Sequence, residues 1–214
     1  MRRLAILAVL AATAWINPGR AESIDLNSHP VIELSDLVVA VLPPDGFNSM
    51  RWDYMAGNQL ISWKTNGPET TNRWSRREGL VRVHVAGVTS KVLRQKWEDL
   101  PWTVTLWATE NQKSGPKRIE IKPGGSEPDE LCFGPNFRGC AFTDKQAIGS
   151  PALKSRLVCR IDDPGLTRHA YLVSAPNKKP TLLVFETTGG TGGSSTSLDI
   201  RPLSDQAEVC GPAN

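Results

Sequence analysis

Three histidines (His29, His84, His169) and four cysteines (Cys132, Cys140, Cys159, Cys210) are the side chains of this 214-residue chain best suited to proton transfer, nucleophilic attack or metal binding. A histidine titrates near neutral pH and ligates metals, but its chemistry needs partners at a set spacing. The sequence has no HExxH pair, no GxSxG elbow and no cysteine with a histidine beside it. His84 stands between Val83 and Val85 in an alternating segment, where a structural role is expected. Asp162-Asp163 precedes Pro164-Gly165, which is ordinary turn chemistry. A carboxylate pair for glycoside hydrolysis would have to be assembled from distant residues. No catalytic residue, metal ligand or cofactor is assigned, and a binding protein is favoured over a hydrolase with a dispersed site.

The cysteines read as disulfides. Their count is even, and the intervening stretches of 7, 18 and 50 residues contain no CxxC and no nearby histidine pair. Three connectivities exist. The preferred one pairs Cys132 with Cys140 across a Gly/Pro-containing loop, and Cys159 with Cys210 across a long one. Closing a loop of about 50 residues contributes roughly 4 kcal/mol on the chain-entropy estimate.

Two features suit non-covalent binding. Six tryptophans (52, 63, 74, 97, 102 and 107) lie in the N-terminal part. Indole faces stack on sugar rings, although large aromatics also fill ordinary cores. Trp102 and Trp107 differ by five, so a regular strand directs them to opposite faces and one of them is the candidate for an exposed glycan contact. The second feature is the run Gly189, Gly190, Thr191, Gly192, Gly193, Ser194, Ser195. It has no lysine for a phosphate loop, lacks the third glycine of GxGxxG, and is followed by a strand pattern at residues 198–200 where a phosphate site needs a helix. A glycine-rich hairpin is predicted. With no bulky side chains it is thin enough to enter a partner's cleft and bind through backbone and hydroxyl groups.

Residues 180–200 resemble the strand–Gly/Ser loop–strand of some periplasmic lysozyme inhibitors. The resemblance covers about twenty residues, and the tyrosine that often accompanies such loops is absent. It implies a β-rich fold and a protein partner whose cleft receives the loop.

The elements that must position these residues are mostly strands. Residues 80–85, 102–107 and 118–122 alternate apolar and polar with period two. Residues 157–161, 170–173 and 181–185 are short apolar runs bounded by turns at 162–165 and 175–180. Sixteen prolines and eighteen glycines leave little room for long helices. Short helices are expected at 35–41, with Ser35 as cap, and between 143 and 156. The fold class is mainly β, an antiparallel sandwich or barrel. It is one domain, or two small β domains (22–125, Trp-rich, and 126–214, disulfide-stabilised) divided at the polar, apolar-free segment 122–130.

Residues 1–21 have the layout of a secretory signal peptide. Arg2 and Arg3 precede thirteen uncharged residues, and Gly19 and Ala21 place small side chains before a cut. Thirteen residues span about 20 Å as a helix, short of the ~30 Å hydrocarbon core. An exported protein, periplasmic or extracellular, with no membrane span after cleavage is expected. The leader carries Arg2, Arg3 and Arg20 and no acid, which leaves 22 basic and 22 acidic residues after it. A neutral chain lacks the cationic surplus of a nucleic-acid binder. The local run Arg73, Arg76, Arg77 is followed by Glu78 and reads as a solvated face. The favoured function is a protein-binding inhibitor or immunity-type module acting through the Gly/Ser hairpin, and the alternative is a cell-wall glycan module using exposed tryptophan.

Overall fold

The computed structural model describes residues 28–71, 73–86, 101–109, 115–123, 142–190 and 193–211. The leader, Trp97, the expected Cys132–Cys140 pair, Thr191 and Gly192, and most of the segment 122–130 lie outside them. The described chain is mostly β, as its alternation predicts. Its elements are β1 (Val31–Glu33), α1 (Leu34–Val41), β2 (Ser62–Trp63), β3 (Glu69–Thr70), β4 (Trp74–His84), β5 (Pro101–Thr109) and β6 (Arg118–Lys122). There follow α2 (Asp144–Ala147), β7 (Lys154–Asp163), β8 (Leu166–Ser174), β9 (Thr181–Gly190), β10 (Gly193–Arg201), a 3-10 turn (Leu203–Asp205) and α3 (Gln206–Cys210).

These strands form one ten-stranded sheet in the order β1-β4-β5-β6-β10-β9-β8-β7, with β2 and β3 also on β4. Every pair is antiparallel except β1 on β4. Strands from before and after residue 126 meet where β10 pairs β6, with Asp199 opposite Glu120.

Period-two alternation divides the sheet into two faces. The inner face carries Val81 and Val83 from β4, Trp102, Val104 and Leu106 from β5, Ile119 and Ile121 from β6, and Leu198 and Ile200 from β10, all fully buried. Helix α1 covers it with Leu34, Leu37, Val38 and Val41, an i, i+3, i+4, i+7 stripe. Ser35 does not cap this helix. It lies inside it and is buried, and the cap position is Glu33, whose side chain makes no capping bond. The helix starts directly from β1, so no free turn exists for a serine cap. Its C-terminal end is held by Lys178, whose Nζ donates to the carbonyls of Val39 (2.7 Å) and Ala40 (3.1 Å). A cation at orphaned C-terminal carbonyls is favourable. Helix α2 begins with a capping box in which Thr143 Oγ1 accepts from the Gln146 N–H and the Gln146 side chain accepts from the Thr143 N–H.

Gly79 lets a second layer cross β4. A Cβ there would lie 2.4 Å from Ile61 Cγ2 and 3.0 Å from Trp63 Cε3, so only glycine admits this packing. Beside it Arg77 is 4% exposed, with its guanidinium 4.4 Å from the Trp63 ring centroid. It donates to the carbonyls of Trp52 (2.7 Å) and Thr65 (3.2 Å). The solvated reading of the arginine run is therefore wrong for Arg77. Adjacent strand residues point to opposite faces, so Arg76 goes outward and Arg77 inward. Burial pulls the Arg77 pKa down, with the Asp53 charge acting against it.

The outer face is covered differently. At its β8–β9 side, Ala170, Leu182 and Val184 lie under Val209 of α3. The Cys159–Cys210 disulfide, with Cα atoms 5.8 Å apart, ties that helix to β7 as the sequence predicts. No helix of the described residues is long and apolar enough to cross a membrane.

Candidate functional site

The part of the outer face left open by α3 is a groove of about 260 Å³. Trp74 and Trp107 form one wall, Arg118 and Arg201 lie along it, and Asp205 and Glu208 close the far side. Register explains the assembly. Arg76 of β4 faces Trp107 of β5, and Trp107 faces Arg118 of β6. Asp199 of β10 stands directly opposite Glu120 of β6, which is two residues along from Arg118 and so on the same face.

The two indoles meet edge to face, with centroids 5.6 Å apart and planes at 69°. The Arg76 guanidinium lies 5.1 Å from the Trp74 ring and 5.9 Å from the Trp107 ring, on the β4 side. It is itself paired with Glu69 at 3.3 Å. Trp107 Nε1 donates to Glu120 at 3.3 Å. The aromatic wall is thus held from both sides.

The groove's two arginines are held by carboxylates, the buried Asp199 and Glu120 and the exposed Glu208. Arg118 Nε donates to Asp199 at 2.8 Å and its Nη2 to Glu120 at 2.8 Å. Arg201 pairs with Asp199 at 3.3 Å and with Glu208 at 3.1 Å. Asp199 is only 4% exposed. Burial pushes its carboxyl above the ordinary value, and the Arg118 and Arg201 charges beside it oppose the rise. Charged hydrogen-bonding groups held in place by such a network lose little freedom when a ligand arrives.

A second, larger cavity of about 710 Å³ opens at the adjoining end of the sheet. Asn48, Arg51, Trp52, Asp53, Asn66 and Lys117 are among its lining residues. Gly115 brings its wall together. It has φ +71°, and a Cβ there would lie 1.9 Å from the Met50 carbonyl oxygen, so only glycine permits the approach. An apolar pocket of about 260 Å³ beside it shares Ser49, Met50, Arg51 and Asp53.

The residues singled out in the sequence separate on inspection. Trp102 and Trp107 do point to opposite faces. Trp102 is 0% exposed and packs on Phe142 at 5.2 Å between ring centroids, so it offers no face to a sugar. Trp107 lines the groove. Its real partner is Trp74, which the spacing along one strand does not reveal because it comes from β4. Gly189, Gly190, Gly193, Ser194 and Ser195 lie in the β9–β10 ladder, which is paired as far as Gly190 opposite Gly193. Gly189 and Ser195 are exposed. The Gly189 N–H donates to the Gly165 carbonyl at 2.8 Å, which ties this hairpin to the neighbouring β7–β8 turn.

A cluster with no local sequence signal joins α2 to β8. His169 Nδ1 lies 2.7 Å from Asp144 Oδ2, and the Tyr171 hydroxyl donates to the same oxygen. His169 Nε2 is 3.5 Å from Asp162 Oδ1. Burial alone would raise the Asp144 pKa, but the hydrogen bonds from Tyr171, His169 and the Lys145 N–H hold it below its usual value. Burial and the adjacent Asp144 push the Tyr171 phenol up. Nδ1 pairs with Asp144, and Nε2 is buried 3.5 Å from Asp162, so this cluster latches α2 to the sheet. Among the described residues, no group of three or more His, Cys, Asp or Glu side chains could hold a metal ion. No protein-family model, curated protein or solved structure matches the chain.

Proposed function

We propose that this protein is an exported, non-catalytic binding module whose ligand is a glycan seated in the Trp74–Trp107 groove. The observation that carries this reading is the placement of two crossed indoles beside a fixed row of guanidinium and carboxylate groups. A pyranose has an apolar C–H face and a rim of hydroxyls. The indoles suit the first, and the planar charged groups, each with hydrogen-bonding capacity to spare, suit the second. Export is supported by the leader-like residues 1–21 and by a disulfide that fits an oxidising compartment. Titrating soluble cell-wall fragments into the protein is expected to quench or blue-shift tryptophan emission, and Trp107→Ala is expected to remove the response. An unchanged spectrum across a broad glycan panel would sink the reading.

A second reading has its own support. The β9–β10 hairpin ends in small residues, with Gly189 and Ser195 exposed, and suits insertion into a protein cleft as an inhibitor or immunity factor. Affinity capture with the intact chain and with a 189–197 deletion side by side separates the two. A protein retained only by the intact hairpin selects this reading, and polysaccharide retained by both selects the groove.

A further inference from the structure

We infer that the ligand is an acidic oligosaccharide that runs from the Trp74–Trp107 groove into the 710 Å³ cavity, with Lys117 at the join pairing with a carboxylate on the sugar chain; this rests on the glycan reading of the groove.

Three observations lead there. Lys117 lines both cavities, so the two adjoin at this residue, near the end of β5 and the start of β6. Its backbone N–H donates to the Trp107 carbonyl at 2.7 Å, on the groove side. Its Nζ reaches the Phe47 carbonyl at 3.4 Å, on the side of the larger cavity. A single sugar fills one cavity, and a chain is needed to occupy both.

The charges supply the second step. Arg118 and Arg201 in the groove are matched by Asp199, Glu120 and Glu208, and Arg51 in the larger cavity is matched by Asp53 at 3.2 Å. Lys117 has no carboxylate partner among the described residues, and its ammonium is held by one long hydrogen bond to a neutral carbonyl. An ammonium has three donors and no acceptor, so the group it lacks is an anion. Third, Asn48 and Asn66 line the larger cavity with amides, which both donate and accept and so suit hydroxyl and acetamido groups on that side of the anion.

The test is a calorimetric titration of the full chain with three hexasaccharides: neutral oligo-N-acetylglucosamine, an alternating N-acetylglucosamine–N-acetylmuramic acid chain with lactyl carboxylates, and an oligogalacturonate with ring carboxylates. Both acidic chains, or the one whose carboxylate reaches Lys117, are expected to bind about tenfold more tightly than the neutral one at low salt. That advantage should shrink as salt rises. In Lys117→Gln the ratio of acidic to neutral affinity is expected to fall to about one, with the thermal melt of the variant checked against the parent. Hexasaccharides should outbind the corresponding disaccharides. Equal affinity for acidic and neutral hexasaccharides, a preference that survives Lys117→Gln, or disaccharides that bind as tightly as hexasaccharides would each overturn the inference and leave the glycan reading standing. Failure of all three hexasaccharides to bind would overturn both.

Discussion

The inner and outer faces of the sheet are built from the same strands, by the same alternation, and reach different ends. On the inner face, Trp102, Leu106, Ile119 and Ile200 meet α1 in a layer from which water is excluded. One residue along each strand, the outer face offers Trp107, Arg118 and Asp199. A short helix held by a disulfide covers only its β8–β9 end. The open remainder is where aromatic and charged groups can meet a ligand. An apolar face can be buried by any apolar partner. A charged one has to be matched group by group, and here the matching leaves a groove and, among the described residues, a Lys117 with no carboxylate partner.

Substitutions sharpen this contrast in graded order. Trp102→Ala strikes the sealed inner face and is expected to cost about 4 kcal/mol of unfolding free energy, measured by chemical denaturation. Replacing Cys159 and Cys210 together by serine should cost roughly 3–4 kcal/mol, since the bridge spans 51 residues of sequence, and should loosen the α3 wall of the groove. A melt unchanged in the serine variant would mean that α3 is held by packing alone.

Asp144→Asn tests the latch between α2 and the sheet. Losing a carboxylate that accepts from His169 and Tyr171 is expected to cost ~1–2 kcal/mol at pH 7. The folded pKa of Asp144 lies below its ordinary value of 3.8, so the unfolded chain binds the proton more readily. Its contribution is therefore present above pH 3.8 and is lost as pH falls through the folded value. Parent and variant should converge in stability over that acid range, and a difference that persists there would count against this assignment. The smallest stability effect belongs to Trp107→Ala, about 1 kcal/mol, because the ring is partly exposed and its edge contact with Trp74 is the main loss. That variant should nonetheless lose the glycan response, which Asp144→Asn should keep.

Much of the fold was legible because alternation is a local property. The segments at 102–107, 118–122 and 181–185 each lie inside a strand, 80–85 does so to within one residue, and the helix at 144–147 falls within the expected 143–156. The site was legible only in part. Trp107 could be named from its strand, while Trp74 could not, because the two meet across a register. Arg77 misled for the same kind of reason: three arginines in five residues look like a wet surface until a strand turns one of them inward. The Asp144–His169–Tyr171 cluster spans 25 and 27 residues of sequence and leaves no local trace.

By itself the sequence determined the main strands, the two faces of each and the lack of any local catalytic motif, because period and composition act over a few residues; it offered Cys159 with Cys210 within the preferred one of three disulfide connectivities, and the tertiary structure brought those two together. Tertiary structure alone decided the sheet order, the parallel entry of β1, the burial of Arg77 and the meeting of Trp74, Trp107, Lys117, Arg118 and Arg201 around one groove, with Asp199 buried behind the two arginines. Those depend on which strand lies beside which, and that choice is made by long-range packing against α1 and the two Cα-close glycine crossings at Gly79 and Gly115.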